Sequence, residues 1–304
     1  MDKIKIKVPA TSANLGSGFD ICGIALEHPF DEMEVSVSRA DTIKSIGKYG
    51  VPENLSENTC GPVVSKMRQD FGFEPLDIKI NKQIRPGGGL GSSAASAAGI
   101  AYAIDKLFDL KLDGEAIVKY AALGEQIAAG TPHYDNVAPA ILGGFTIVFS
   151  RNPLKIKKIN APKTLDAIII APEEGKISTK AARSVLPDMV SRISSQDNLQ
   201  CLSSLICSML DGNVEMLIKS MDDRIIEPAR AKAGILKHFD EIKGIANSLG
   251  YGVAASGAGP AVLILGDRSN NSKNDLIAQI DKIFKEKHEI ILSSISNSGA
   301  ATLG

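Results

Sequence analysis

The segment Lys3-Ile4-Lys5-Ile6-Lys7-Val8 alternates charged and apolar residues with a strict period of two. That is the pattern of a strand with one face in a core and the other in water. Met33, Val35 and Val37 repeat it, as do Leu76, Ile78 and Ile80, so the first third of the chain is expected to be rich in antiparallel strands. The period then changes. Stretches from about Ser92 to Phe108 and from about Gly114 to Ala129 are dense in Ala, Ile and Leu and read as helices, and the run Phe145 to Phe149 returns to strand.

Asn152 to Lys163, rich in Lys and broken by Pro, reads as a connection. Beyond it Leu165 to Ala171, apolar but for Asp166, opens a second domain as a strand. Helices are expected around Ser178 to Leu186, Leu199 to Leu210, Val214 to Ser220 and Ile235 to Leu249. Strands at Gly252 to Ala255 and Ala261 to Leu265 flank the turn Gly257-Ala258-Gly259-Pro260, and a helix and a last strand, Ile290 to Ser293, follow. The end of the chain, Ser296 to Gly304, is small and polar and reads as a loosely held tail. Helices alternating with strands indicate an α+β class. A length of 304 residues suits two domains, here 1–155 and 156–304.

Charge narrows the partners. Lys and Arg number 34 against 35 Asp and Glu, so no basic field exists to hold nucleic acid or an anionic membrane. Trp is absent, and the five Tyr and nine Phe are scattered rather than interleaved with cations, unlike a base-stacking platform. A small molecule is the expected ligand. The alternating N-terminus lacks the apolar core of a signal peptide, and the longest strong apolar run is Ala167 to Ala171. A membrane span needs about 20 such residues, so a cytoplasmic protein without a membrane partner is expected. Cys22, Cys60, Cys201 and Cys207 show no CxxC spacing and no pairing with the four histidines, and read as small buried hydrophobes.

The most informative segment is Pro86-Gly87-Gly88-Gly89-Leu90-Gly91-Ser92-Ser93-Ala94-Ala95, where a strand gives way to an Ala-rich helix. Glycines allow positive φ and close backbone approach, and the amides at a helix N-terminus carry partial positive charge, so together they make a phosphate cradle. The plain alternative is a tight turn with Ser92 or Ser93 as helix cap. A GxxxxGK[ST] loop is excluded because no Lys accompanies the serines. Gly89, Gly91 and Ala94 satisfy GxGxxA, yet Lys82 to Pro86 is no buried strand and the chain does not open on a βαβ unit, which argues against a dinucleotide oxidoreductase.

On the helix that follows, Glu125 shares a face with Ile117, Ala121 and Ala128. An inward carboxylate is costly unless paired or bound to a cation, so a hard metal ion is a sensible use of it. A Glu at the helix margin reaching solvent is the plain reading.

Gly89-Leu90-Gly91-Ser92-Ser93-Ala94 after Pro86 resembles the central motif of the galactokinase, homoserine kinase, mevalonate kinase and phosphomevalonate kinase superfamily. Pro9-Ala10-Thr11-Ser12-Ala13-Asn14-Leu15-Gly16-Ser17-Gly18-Phe19-Asp20 resembles its first motif, and Ala255-Ser256-Gly257-Ala258-Gly259-Pro260 its third. The form of the first block, and Thr131-Pro132-His133-Tyr134-Asp135-Asn136-Val137-Ala138-Pro139, are similar to those of the homoserine kinase branch. The resemblance implies a ribosomal protein S5 domain 2-like N-terminal domain and a ferredoxin-like α/β C-terminal domain. It also implies ATP and Mg²⁺ as cofactors, L-homoserine as phosphoryl acceptor in threonine biosynthesis, and a homodimer.

By the same resemblance the nucleotide lies on the segment Pro86 to Ala95, and Ser93 and Glu125 hold the metal. Asp135 stands where some relatives carry an aspartate proposed as base for the acceptor hydroxyl. It could instead orient the acceptor, and its plain reading is a turn or cap residue before Val137. Arg183, in a block with Thr179 similar to Thr-x-x-x-Arg, and Arg230, ending Ile226-Glu227-Pro228-Ala229-Arg230, are implied to grip the carboxylate, which an Arg fork does bidentately. Alone, each arginine would read as a solvated surface charge. Asn14, Asp20, His133, Asn136 and Gly257 complete the implied acceptor set, with Asp20 toward the ammonium. Another acceptor of the superfamily, such as mevalonate or a polyol, and a silent nucleotide-binding regulator are the rival readings.

Overall fold

The computed structural model of the chain describes residues 2–129, 133–173 and 179–303; of Ile127, Ala128, Ala129 and Thr179 the backbone alone is described. In chain order the elements are β1 (Lys3–Asn14), β2 (Gly18–Val37), β3 (Thr42–Gly47), α1 (Cys60–Phe71), β4 (Leu76–Lys82), α2 (Ser92–Leu107), α3 (Gly114–Ala129) and α4 (Val137–Leu142). Then come β5 (Phe145–Arg151), β6 (Leu154–Ile159), β7 (Leu165–Pro172), α5 (Thr179–Ser184), α6 (Arg192–Asp211), α7 (Val214–Ser220), α8 (Ile226–Lys232) and α9 (Phe239–Ser248). The chain closes with β8 (Gly252–Ala255), β9 (Val262–Asp267), α10 (Lys273–Ile283), β10 (His288–Ser294) and β11 (Ala301–Thr302).

The alternating segments become neighbours. In the first sheet, ordered β11-β1-β2-β4-β3, Ile6 lies opposite Met33 and Met33 opposite Ile80, while Ile4 lies opposite Val35 and Val35 opposite Ile78. All six are buried in one core with the Ala-rich helix α2, whose small side chains let it lie close to the sheet. Off this path β5 pairs with β2, and β6 with β5.

Two segments depart from the sequence reading. Asn152 to Lys163 contains β6, whose Leu154, Ile156 and Ile159 lie toward the core while Lys155 and Lys157 are exposed. The lysines and Pro153 imitate a linker, but the alternation is that of an edge strand, and the division drawn at 155/156 falls inside it. Nor is Ser296 to Leu303 loosely held. Ser296 exchanges backbone hydrogen bonds with Ala25 and Gly144, Ala300 N donates to Ala140 O, and β11 adds to the edge of β1.

The second sheet is antiparallel in the order β10-β7-β9-β8. With helices between β7 and β8 and α10 between β9 and β10, it has the split βαβ connectivity of a ferredoxin-like layer. β7 is buried on both faces, Ile168 and Ile170 packing with α9 and α10, and Ala167, Ile169 and Ala171 joining the main core. That explains its near-continuous apolar run. Of the cysteines, Cys22 and Cys60 are buried as expected, but Cys201 is half-buried and Cys207 exposed, because both lie on the outer helix α6. No helix among the described residues is long and apolar enough to cross a membrane.

Candidate active site

Three glycine-bearing blocks, far apart in sequence, interlock by backbone contact. Thr11 N donates to Leu90 O at 3.2 Å, Gly257 N to Ala13 O at 3.1 Å, and the Ser256 hydroxyl to Gly89 O at 2.6 Å. The fit leaves no room for side chains. A Cβ on Gly89 would stand 2.6 Å from Ser256 O, and one on Gly91 would stand 2.0 Å from Thr11 Oγ1, and both residues have positive φ. The Thr11 hydroxyl donates to Asn136 Oδ1 at 2.8 Å, which brings the block before α4 to the same junction.

In front of the loop lies a cavity of about 480 Å³, lined by Pro86, Gly87, Gly89, Gly91, Ser92 and Ser93 together with Glu125, Asn136 and Gly257. Neither serine caps α2: Gly91 is the N-cap residue, it makes no side-chain cap bond, and the Ser92 hydroxyl donates to Ile84 O at 3.0 Å. The first-turn amides of a helix have no intrahelical partner, so the loop and helix end offer the cavity donors and partial positive charge. Not all of the expected segment faces it. Gly88 and Leu90 line a second cavity behind the loop, and Ala94 and Ala95 are buried in the core. A further wall, including Val51, Pro52, Asn58 and Thr59, comes from the connection between β3 and α1, where the sequence carries no motif.

Glu125 is buried on α3 with Ile117 and Ala121, as its spacing predicts; the Ala128 side chain lies outside the described residues. Burial raises its carboxyl above the ordinary range, while the Ser93 hydroxyl beside it and the Lys82 charge hold it down. Its Oε1 is buried with no hydrogen-bond partner among the described residues, on a residue that lines the cavity with Ser93. An orphaned carboxylate oxygen and a hydroxyl suit a hard cation, which takes few protein ligands when a polyphosphate supplies the rest.

Beyond Gly257 lies a cluster of opposite charges. Arg230 is 2% exposed, far from the solvated charge its type suggests, and donates to Gly257 O at 2.7 Å and Ala182 O at 3.4 Å. Asn14 Nδ2 donates to the same carbonyl at 2.8 Å, and Asn14 Oδ1 accepts from Asp20 N at 3.2 Å. Arg183 Nη2 reaches Asp20 Oδ1 at 2.5 Å and His133 Nδ1 at 3.2 Å, while its Nε is buried without a hydrogen-bond partner among the described residues. Burial first, then the Arg183 charge, lower the Arg230 pKa, and they do the same to His133. A guanidinium keeps its proton in proteins, so Arg183 and the more exposed Arg151 pair with the Asp20 carboxylate, while the Arg183 cation opposes that of Arg230, which Asp20, Asp223 and Glu227 favour. The ring of Phe19, within the first motif but given no role by it, lies 5.1 Å from the Arg183 guanidinium and 5.5 Å from that of Arg230. Thr179 begins α5, but its side chain lies outside the described residues, as do Thr131 and Pro132.

Asp135 is buried just before α4, where Asn136 takes the N-cap position. Burial, then the negative charges of Asp20 and Glu125, push its carboxyl from the ordinary 3.8 up to about 7, against the opposing pull of Arg183. Its Oδ1 accepts from Asn136 N at 3.2 Å, and hydrogen bonding to the backbone is the smallest of the causes acting on it. The carboxyl therefore exchanges its proton near neutral pH.

Residues 58–144 match the family of GHMP kinases, N terminal domain. Homoserine kinase of Methanococcus maripaludis is 40% identical over 291 residues, covering 94% of this chain and 93% of that protein. Homoserine kinase of Pyrococcus horikoshii is 36% identical over 285 residues, covering 92% and 94%. The crystal structure of homoserine kinase from Cytophaga hutchinsonii superposes with a TM-score of 0.90 at 31% identity, over 100% of this chain and 98% of that one. The mevalonate kinase of Methanococcus jannaschii shares the fold, with a TM-score of 0.71 at 19% identity over 96% and 98%. A match of this identity across nearly the whole chain makes the chain a member of the homoserine kinases within the GHMP kinase family.

Proposed function

We propose that the chain transfers the γ-phosphoryl group of ATP to the hydroxyl of L-homoserine, giving ADP and O-phospho-L-homoserine. The observation that carries the reading is the juxtaposition of Arg183, Arg230 and Asp20, a complement to one carboxylate and one ammonium, with a glycine loop that opens a cavity at a helix N-terminus. Mevalonate and sugars lack the ammonium that Asp20 would meet.

Phosphoryl transfer passes through a loose transition state, so alignment and charge neutralisation do most of the work. The loop amides and the N-terminus of α2 hold the polyphosphate. Glu125 and Ser93 would hold a Mg²⁺ ion, which supplies neutralisation of the charge on the transferring group. Arg183 and Arg230 fix the acceptor carboxylate and Asp20 its ammonium, which leaves the hydroxyl free to be aimed at the phosphorus. The hydroxyl oxygen forms the new O–P bond as the bond to the β-phosphate bridging oxygen breaks. Asp135 accepts the hydroxyl hydrogen bond and, with a carboxyl that titrates near neutrality, takes the proton.

A coupled ADP-release assay over a panel of alcohols tests the proposal. Homoserine is expected to stimulate release far above mevalonate, sugars and polyols. Preferential turnover of mevalonate would overturn the acceptor and leave the kinase fold standing.

A further inference from the structure

We propose that Phe19 is a positioning residue for the acceptor: its ring sets the two guanidinium groups that grip the carboxylate. The inference rests on the acceptor reading above and deepens it. Arg183 and Arg230 belong to different helices, α5 and α8, and their like charges oppose each other. Something must hold both cations in one place without consuming their donors.

Arg183 has Asp20 for part of that task, but among the described residues Arg230 hydrogen-bonds backbone carbonyls, those of Gly257 and Ala182. Asp20, Asp223 and Glu227 favour the Arg230 charge through space, whereas a carboxylate bonded directly to the guanidinium would compete with the substrate carboxylate for the fork. An aromatic face does not compete. It attracts a cation through the ring quadrupole, while the N–H donors of a stacked guanidinium stay in their own plane, available to a ligand. Phe19 lies within 5.1 Å of one guanidinium carbon and 5.5 Å of the other.

The backbone holds that ring in register with the anion beside it. Phe19 precedes Asp20, which adopts a left-handed φ of 58° and donates its amide to Asn14 Oδ1, and Asn14 in turn bonds the Gly257 carbonyl that Arg230 also uses. The start of β2 therefore presents the ring for the two cations and the carboxylate for the ammonium from adjacent residues. Phe19 is half-buried, so shortening it does not hollow the core.

The test compares Phe19→Leu, which keeps apolar bulk and removes the π face, with Phe19→Tyr, which keeps the face, and with Arg230→Ala as reference. Steady-state kinetics of the full-length variants are expected to show the homoserine KM raised roughly five- to thirtyfold in Phe19→Leu, a near-parental value in Phe19→Tyr, and an unchanged ATP KM in both. Phe19→Leu combined with Arg230→Ala is expected to lose less than the product of the single effects, because the ring acts through the arginine. An unmoved homoserine KM in Phe19→Leu, beside a raised one in Arg230→Ala, overturns the inference and spares the acceptor reading. Equal losses in the Leu and Tyr variants also overturn it, since shape and not the π face would then matter. No effect of Arg230→Ala on homoserine removes the acceptor reading and this inference with it.

Discussion

Arg183 Nη2 stands 2.5 Å from Asp20 Oδ1, so the cation proposed for a substrate carboxylate and the anion proposed for its ammonium hold each other. A zwitterion that inserts between them exchanges one internal ion pair for two. Neither charge then has to be stripped of solvent at the moment of binding, a cost that otherwise cancels much of the gain.

Asp20→Asn is expected to raise the homoserine KM by about ten- to a hundredfold, the loss of one charge-assisted hydrogen bond, with the ATP KM unchanged. Separate titration of the two substrates checks it. If homoserine saturates normally in the variant, the ammonium is bound elsewhere and Asp20 serves only to tether Arg183.

Glu125→Gln removes an anionic oxygen from a residue whose Oε1 has no hydrogen-bond partner among the described residues. The Mg²⁺ concentration needed for half-maximal rate is expected to rise and kcat to fall, because hard cations prefer charged oxygen ligands. Burial disfavours the charged carboxylate at this site, so the neutral amide should leave the fold at least as stable. A parental Mg²⁺ titration with normal turnover would place Glu125 outside the metal site.

For Asp135 the direction of the shift fixes two opposite responses to pH. Its carboxyl titrates at about 7 in the folded chain against 3.8 ordinarily, so between those values the folded state holds a proton that the unfolded state has lost. Stability falls as pH rises through that window. Asp135→Asn, which has no proton to lose, should therefore be stabilised at pH 8, by at most about 4 kcal/mol, and hardly at all at pH 4. Its activity should fall at every pH, and the acid limb near pH 7 in the parental rate profile should vanish. Thermal melts at the two pH values and a pH–rate series check both halves. An acid limb that survives in the variant would assign the titration to another group.

The legible parts of the site were those whose demands are local. Gly89 and Gly91 must be glycine because of what lies against them, and that need shows in the sequence as a dense glycine run. Within the first sheet β1, β2 and β4 announced themselves by alternation, and Glu125 by its place on an apolar helix face. What stayed hidden is tertiary. Phe19 stands in the first motif, but its neighbours Arg183 and Arg230 lie more than 160 positions away, and nothing in the sequence pairs the ring with them. The segment Ser296 to Leu303 is held chiefly by backbone bonds to Lys5, Ala25, Ala140 and Gly144, which small polar residues permit but do not advertise. β6 was masked by its lysines, which face solvent from an edge strand in the way such strands resist further pairing.

Lys82 is another residue whose position contradicts its type, for it is 0% exposed. Its ammonium meets Asp31 Oδ2 at 2.5 Å and donates to Ser92 O at 2.7 Å and Ser96 Oγ at 3.0 Å, while Asp31 Oδ1 accepts from Gln83 N and Ile84 N at 2.8 and 2.9 Å. One buried pair thus ties the residues entering the glycine loop to the helix turn leaving it. Removing Lys82 alone strands a buried anion, so Lys82→Met should cost roughly 3–5 kcal/mol of stability. Pairing it with Asp31→Asn removes the stranded charge but keeps an oxygen for the two amides. The double variant should regain most of the stability in chemical denaturation. It should not regain function, because the Ser92 and Ser96 ends of the loop are no longer fastened to its entrance, and a loop displaced by an ångström costs on the order of a hundredfold in rate. That loss should appear in kcat/KM for ATP, with the homoserine KM near its parental value, since Asp20, Arg183 and Arg230 are untouched. A double variant as unstable as Lys82→Met would show that the bonds to Ser92 and Ser96, not charge balance, hold this part of the fold; a stable one with normal ATP kinetics would show that the loop keeps its shape without the anchor.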